Sequence, residues 1–212
     1  MAGDVWDMTA VERAALVEDL AGRQESDFER ASLNEGWTVL DTLGHINATA
    51  SMTKGGFFKG LIRAGFNFKK MTATGMNVQV KGGPAAAVDR LRSLISARTG
   101  PPGPADSWLG EALIHGEDIR RPLEISRDYP TPALLRVADF YKKSNLIVGA
   151  KKRIAGLHLK ATDADWQHGE GPEVSGPLIN LILAMTGRPA GADGLTGQGA
   201  DILGARCRGL PA

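Results

Sequence analysis

Gly100-Pro-Pro-Gly-Pro104 can sit inside neither a helix nor a paired strand, because its prolines lack an amide donor and its glycines lack a side chain. Lesser breaks at Asn34-Glu-Gly36, Gly82-Gly83-Pro84, Pro122 and Thr131-Pro132 divide the first 150 residues further. Between these breaks, all stretches but one carry their apolar residues at helical spacing. A chain punctuated this way can bury its apolar faces only by laying helices side by side.

Thr9-Ala-Val-Glu12 has the pattern of a capping box and predicts a helix through about residue 32; Thr38-Val-Leu-Asp41 predicts a second through about residue 52. The exception is 54–82, rich in Gly, Phe and Lys, with a short helix expected over 57–66 and no clear period beyond. Pro84 opens a third helix to about 98, with Val88, Leu91, Leu94 and Ile95 on one side. A fourth runs from about Ser107 to Pro122, and a fifth from Thr131 to about Gly149. After Lys151 the pattern changes. Residues 156–161 alternate as a strand does, 163–171 read as a turn and a short strand around Trp166, and helices follow over 177–186 and 200–206. The expected organisation is therefore mainly α: a helical bundle over residues 1–150 and a small α+β region over 151–212.

At 42% hydrophobic residues the chain can bury a sizeable core. Its net charge of +1, scattered basic residues and 6% aromatics argue against a nucleic-acid partner. The longest apolar run, 178–185, is interrupted by Asn180 and too short to span a bilayer. The acidic N-terminal stretch has no basic segment leading into an apolar one. These features predict no nucleic acid, no membrane and a cytoplasmic location. Cys207 is the single cysteine, which rules out an intrachain disulfide and an all-thiolate metal site; it is expected to be inert.

The residues best suited to chemistry lie in Glu111-Ala-Leu-Ile-His115-Gly-Glu-Asp118. On a helix, Glu111 and His115 are one turn apart and point the same way, so a carboxylate oxygen and an imidazole nitrogen can reach one ion. A catalytic zinc takes a third protein ligand, and the candidate is His45. That residue lies roughly 130° from the apolar stripe Val39, Leu43, Ile46 and Ala50, among Thr38, Thr42 and Thr49. A peripheral helix would expose that face, whereas a central one would turn it into an interior polar site. Spacing alone fits a solvated Glu–His pair as well as it fits a metal site. His158 and His168 are expected to be surface or structural residues. Gly194-Leu-Thr-Gly-Gln-Gly199 lacks the lysine of a phosphate loop and reads as a connection between helices.

Trp37-x-x-x-Asp41-x-Leu-Gly-His45, Glu111-x-x-x-His115-Gly-x-Asp118-Ile-Arg-Arg121, Ala161-Thr-Asp-Ala-Asp-Trp-x-x-Gly169, Leu-Ala-Met-Thr-Gly-Arg188 and Leu195-Thr-Gly-x-Gly199, in this order, resemble the mycothiol-dependent maleylpyruvate isomerase family of the DinB-like superfamily. The resemblance implies a DinB-like four-helix bundle with a small C-terminal α+β appendage, similar to a sterol-carrier-like fold. It also implies a divalent metal, usually zinc, on His45, Glu111 and His115, with Asp118 orienting a ligand imidazole from behind. Arg188 matches an arginine expected near the substrate. Mycothiol would be the thiol cosubstrate and a small electrophile its partner, in either isomerisation or S-transfer. A metal-binding bundle with a regulatory, binding or structural role is the alternative from a different class of function.

Overall fold

The computed structural model describes residues 4–146 and 148–209. The first three residues of the acidic N-terminal stretch, Ile147 within the expected fifth helix, and residues 210–212 lie outside it. The chain forms two compact units, Met1–Arg127 and Asp128–Ala212.

The first unit contains α1 (Val5–Leu20), α2 (Glu25–Glu29), α3 (Val39–Ser51), α4 (Lys54–Arg63), α5 (Phe68–Gln79), α6 (Gly83–Ser93) and α7 (Ala105–Arg120). Helix α3 packs against α5, α6 and α7, and α1 packs against α6 and α7. The core joins Leu16, Val17 and Leu20 of α1 to Val39, Leu43 and Ile46 of α3, Leu91 of α6 and Ile119 of α7. Burial of these side chains is the main stabilising term, about 1.5–3 kcal/mol for each large aliphatic residue. Because α3 is central, its Thr/His face turns inward: Thr42 and Thr49 are buried and His45 is half-buried.

The two expected capping boxes part company. At Thr38 the box forms: the Asp41 amide donates to Thr38 Oγ1 at 3.1 Å and the Thr38 amide to Asp41 Oδ2 at 2.9 Å. At Thr9 it does not, because α1 starts a turn earlier with Asp4 as its cap. Thr9 is buried within the helix, its hydroxyl donating to the Val5 carbonyl at 2.7 Å. Glu12 is freed to pair with Arg127 through two contacts of 2.8 and 3.1 Å. The helix also stops at Leu20 rather than near residue 32, where Gly22 takes a left-handed φ of 71°. Helix α5, unseen in the sequence pattern, buries only Met71 and Met76, too few positions to write a period.

In the second unit, α8 (Thr131–Tyr141) and α9 (Ala150–Arg153) precede a three-stranded sheet of order β2-β1-β3. Strand β1 (His158–Ala161) pairs antiparallel with β2 (Gln167–His168) and parallel with β3 (Glu173–Gly176). Helices α10 (Leu178–Met185), α11 (Pro189–Ala192) and α12 (Ala200–Cys207) complete it. Helix α10 is buried over Leu181–Met185 because α8, α11, α12 and the sheet surround it. The packing of α8 on α10 puts the division between units at residue 127, earlier than the position near 150 read from the sequence. The glycine-rich stretch connects α11 to α12, and Thr196 bridges to Ser175 beside β3. A Cβ on Gly197, at φ 98°, would lie 2.3 Å from the Glu173 carbonyl oxygen, so close approach of two chains requires the glycine.

Candidate metal centre

His45 reaches the site from the middle of α3, and Glu111 and His115 reach it from successive turns of α7. One donor atom from each lies within 4.8 Å of the other two. His45 Nε2 is 3.6 Å from Glu111 Oε1, and the two imidazole centroids are 4.9 Å apart at 79°. Two imidazoles and one carboxylate converging edge to edge, none fully exposed, are a donor set of the kind that binds zinc with one position left open.

Asp118 is fully buried, and its Oδ2 lies 2.8 Å from His115 Nδ1. An ionised carboxylate can only accept, so this contact assigns the proton to Nδ1 and leaves the Nε2 lone pair for a ligand on the far side of the ring. The Asp118 backbone is used as well: its carbonyl accepts from the Leu33 amide at 3.1 Å. That bond fastens the 31–38 loop to α7. The loop closes through the Ala31–Thr38 bridge, with Gly36 at φ 78°, and delivers Trp37 over the site. The Trp37 ring lies 5.0 Å from that of His45 and stacks at 23° to His115, 6.4 Å away.

Burial raises the Glu111 carboxyl above its ordinary pKa; nearby His115, a hydrogen bond from Thr49 and the charge of Arg13 offset this in part. Arg13, 4% exposed, donates to the Leu94 and Ala97 carbonyls at 3.2 and 2.8 Å, and its Nε has no hydrogen-bond partner. Burial lowers the pKa of its guanidinium, and Glu111 opposes that shift. Arg13, Thr49, Trp108 and Glu111 line one cleft. The Gly100–Pro104 segment borders this cleft: a Cβ on Gly100 would fall 2.9 Å from the Trp108 indole, so a side chain there would force the ring to shift. Trp37 and Arg13 escaped the sequence reading as site residues because neither shares a helix face with the candidate ligands. The signal for Trp37 was its place at the head of the Trp37-x-x-x-Asp41-x-Leu-Gly-His45 motif, just before the Thr38 cap.

Arg188 lies in the second unit, at the start of α11, where its Nη1 donates to the Thr186 carbonyl at 3.1 Å. His158 and His168 belong to β1 and β2. His158 is near Gln167 and Glu173, and burial together with Lys142 lowers the pKa of His168. Neither histidine belongs to the three-residue cluster.

These features define a mainly α helical bundle with a small α+β appendage and a His/Glu/His cluster in its first unit. Among solved structures, the chain has the fold of the mycothiol-dependent maleylpyruvate isomerase. It superposes on a point variant of that enzyme with a TM-score of 0.61 at 16% identity, and on the enzyme itself with 0.58 at 14%, covering 94% of both chains in each case. No family model and no curated protein matches the sequence.

Proposed function

We propose that the chain is a metal-dependent enzyme that uses mycothiol as its nucleophile. The observation that carries this reading is the convergence of His45, Glu111 and His115, with His115 held from behind by buried Asp118, in a fold shared with a mycothiol-dependent isomerase. His45 and His115 would present neutral imidazole nitrogens and Glu111 a carboxylate oxygen. A divalent ion such as zinc held by these three groups would supply the positive charge that draws in a thiol and lowers its pKa. Asp118 keeps His115 in the required tautomer, and Trp37 covers the histidines and limits water on that side.

The nucleophile is assigned to the sulfur of mycothiol because burial raises the pKa of the chain's one thiol, Cys207, and favours its protonated form. Addition of that sulfur to an electrophilic carbon forms one C–S bond. In isomerisation the bond breaks again after rotation and expels the thiolate; in S-transfer it stays. Arg188 is assigned to the substrate's anionic end on the strength of the sequence resemblance. Arg188→Ala is expected to lower thiol-dependent turnover at least about tenfold with metal content unchanged.

Metal analysis of purified protein, followed by calorimetry with mycothiol on the metal-replete form, tests the reading. About one metal per chain and a mycothiol isotherm are expected. Failure of mycothiol, glutathione and bacillithiol alike to bind at millimolar concentration would leave a non-enzymatic metal-binding bundle as the better account.

A further inference from the structure

The bundle leaves one part of its first unit unexplained. From Thr42 to Val88 the chain has six basic residues (Lys54, Lys59, Arg63, Lys69, Lys70 and Lys81) and no Asp or Glu. With a net charge of only +1 overall, the rest of the chain is acidic, so this is a local concentration that the whole-chain balance concealed. All six are exposed, and among the described residues none forms an ion pair. The same segment carries exposed apolar side chains: Phe58 is 56% exposed, Ile62 64%, Phe66 75% and Phe68 50%.

The local structure presents these groups outward. Helix α4 has no buried residue and packs chiefly on α5. Phe58 and Ile62 are one turn apart on the same face, flanked by Lys59 and Arg63 at the same spacing. In the connecting turn Phe66 takes a left-handed φ of 60°, uncommon for a bulky residue and without compensating burial. Isolated large apolar residues on a surface need no explanation, but a contiguous set rimmed by one sign of charge does.

We propose that the α4–α5 hairpin is a docking surface for an anionic lipid bilayer, with Phe58, Ile62 and Phe66 entering the headgroup boundary and the lysines and Arg63 pairing with lipid phosphates. Basic side chains with apolar stems, interleaved with aromatics on a polar-poor helix face, match the interface between headgroups and acyl chains. Charge complementarity selects the occupant. A second copy docked on this face would set six cations against six more. An acidic polypeptide would meet the charge but would leave unexplained the exposed apolar side chains that stand out from a helix and a turn. The sequence expectation of no membrane partner rested on the lack of a spanning run, and among the described residues no helix is long and apolar enough to cross a membrane. Surface docking needs none.

Co-sedimentation of the full chain with lipid vesicles tests the proposal independently of any thiol chemistry. Vesicles of phosphatidylcholine with about one third phosphatidylglycerol should retain the protein, and vesicles of phosphatidylcholine alone should retain much less. Lys59→Ala with Arg63→Ala should weaken binding on the order of twentyfold, about fivefold for each cation. Phe58→Ser with Phe66→Ser should weaken it about tenfold or more. Both pairs are exposed and neither contributes to the His/Glu/His cluster, so metal content and thermal unfolding should match the parent. No retention on anionic vesicles would overturn the proposal, as would equal retention on neutral ones. Binding untouched by the Phe pair, or tighter binding to duplex DNA than to vesicles, would assign the patch to a purely electrostatic partner and overturn it equally.

Discussion

Asp118 is fully buried, and a buried carboxylate against His115 Nδ1 fixes one tautomer of the ring. Asp118→Ala is therefore expected to lower metal affinity 10–100-fold, measured by competition with a chelator, although Asp118 donates no ligand atom itself. The backbone bond from Leu33 would survive, so the 31–38 loop should stay closed. Glu111 tests the opposite balance. Burial disfavours its charged form, an energetic penalty that a bound cation would relieve. Glu111→Gln should abolish stoichiometric metal binding while raising the unfolding temperature of the metal-free protein, as read by thermal melts with and without chelator; a lower melting temperature would contradict the electrostatic account. The candidate ligands were legible because Glu111 and His115 share a helix face and His45 stands off its own apolar stripe. Trp37 and Arg13 were not, since a loop and a different helix bring them in.

Helix α7 is the element on which the bundle and the candidate site both depend. Its inner end supplies Arg120, a fully buried guanidinium whose Nε lies 2.6 Å from Asp19 Oδ2 on α1. One turn back, Glu117 pairs with Arg121 at 2.8 Å. The Asp-Ile-Arg-Arg run beside the histidine thus combines an imidazole-orienting group with the ion pair that joins α7 to α1. Replacing Asp19 removes the carboxylate that Arg120 Nε contacts. Asp19→Ala should lower stability by about 3–5 kcal/mol in urea unfolding, and Asp19→Asn by less. An effect within about 0.5 kcal/mol would mean that water already solvates Arg120. At this scale the sequence was readable wherever a helix buries a full face, as α3 and α7 do. It was unreadable in α5, with two buried residues of twelve, and in β3, whose four residues alternate too briefly to form a pattern. The Thr9 and Thr38 boxes have the same residue spacing, and only the length of helix already formed upstream distinguishes them.

At the scale of the whole molecule, the one thiol and the candidate metal ligands fall in different units: His45, Glu111 and His115 belong to the first, and Cys207 to the second. The break after Lys151 marked a change of structure in the sequence, but the packing of α8 on α10 is a tertiary fact that no local pattern carries. Within the second unit, Cys207 sits on α12 and its Sγ donates to the Ala184 carbonyl at 3.2 Å. Burial raises its pKa above the ordinary thiol value, and Arg153 and Arg208 only partly oppose the shift. The folded chain therefore holds this proton to higher pH than the unfolded chain does. Its contribution to stability is complete below the ordinary thiol pKa of about 8.5 and is lost as pH rises above that value. At neutral pH the folded thiol is protonated and shielded, so alkylation of native protein should be slower than that of denatured protein by at least about tenfold. Cys207→Ser should leave thiol-dependent turnover at the parental rate, with alkaline stability falling less steeply. Loss of turnover in a folded Cys207→Ser variant would move the nucleophile onto the protein itself and contradict a mechanism that takes its sulfur from a bound cosubstrate.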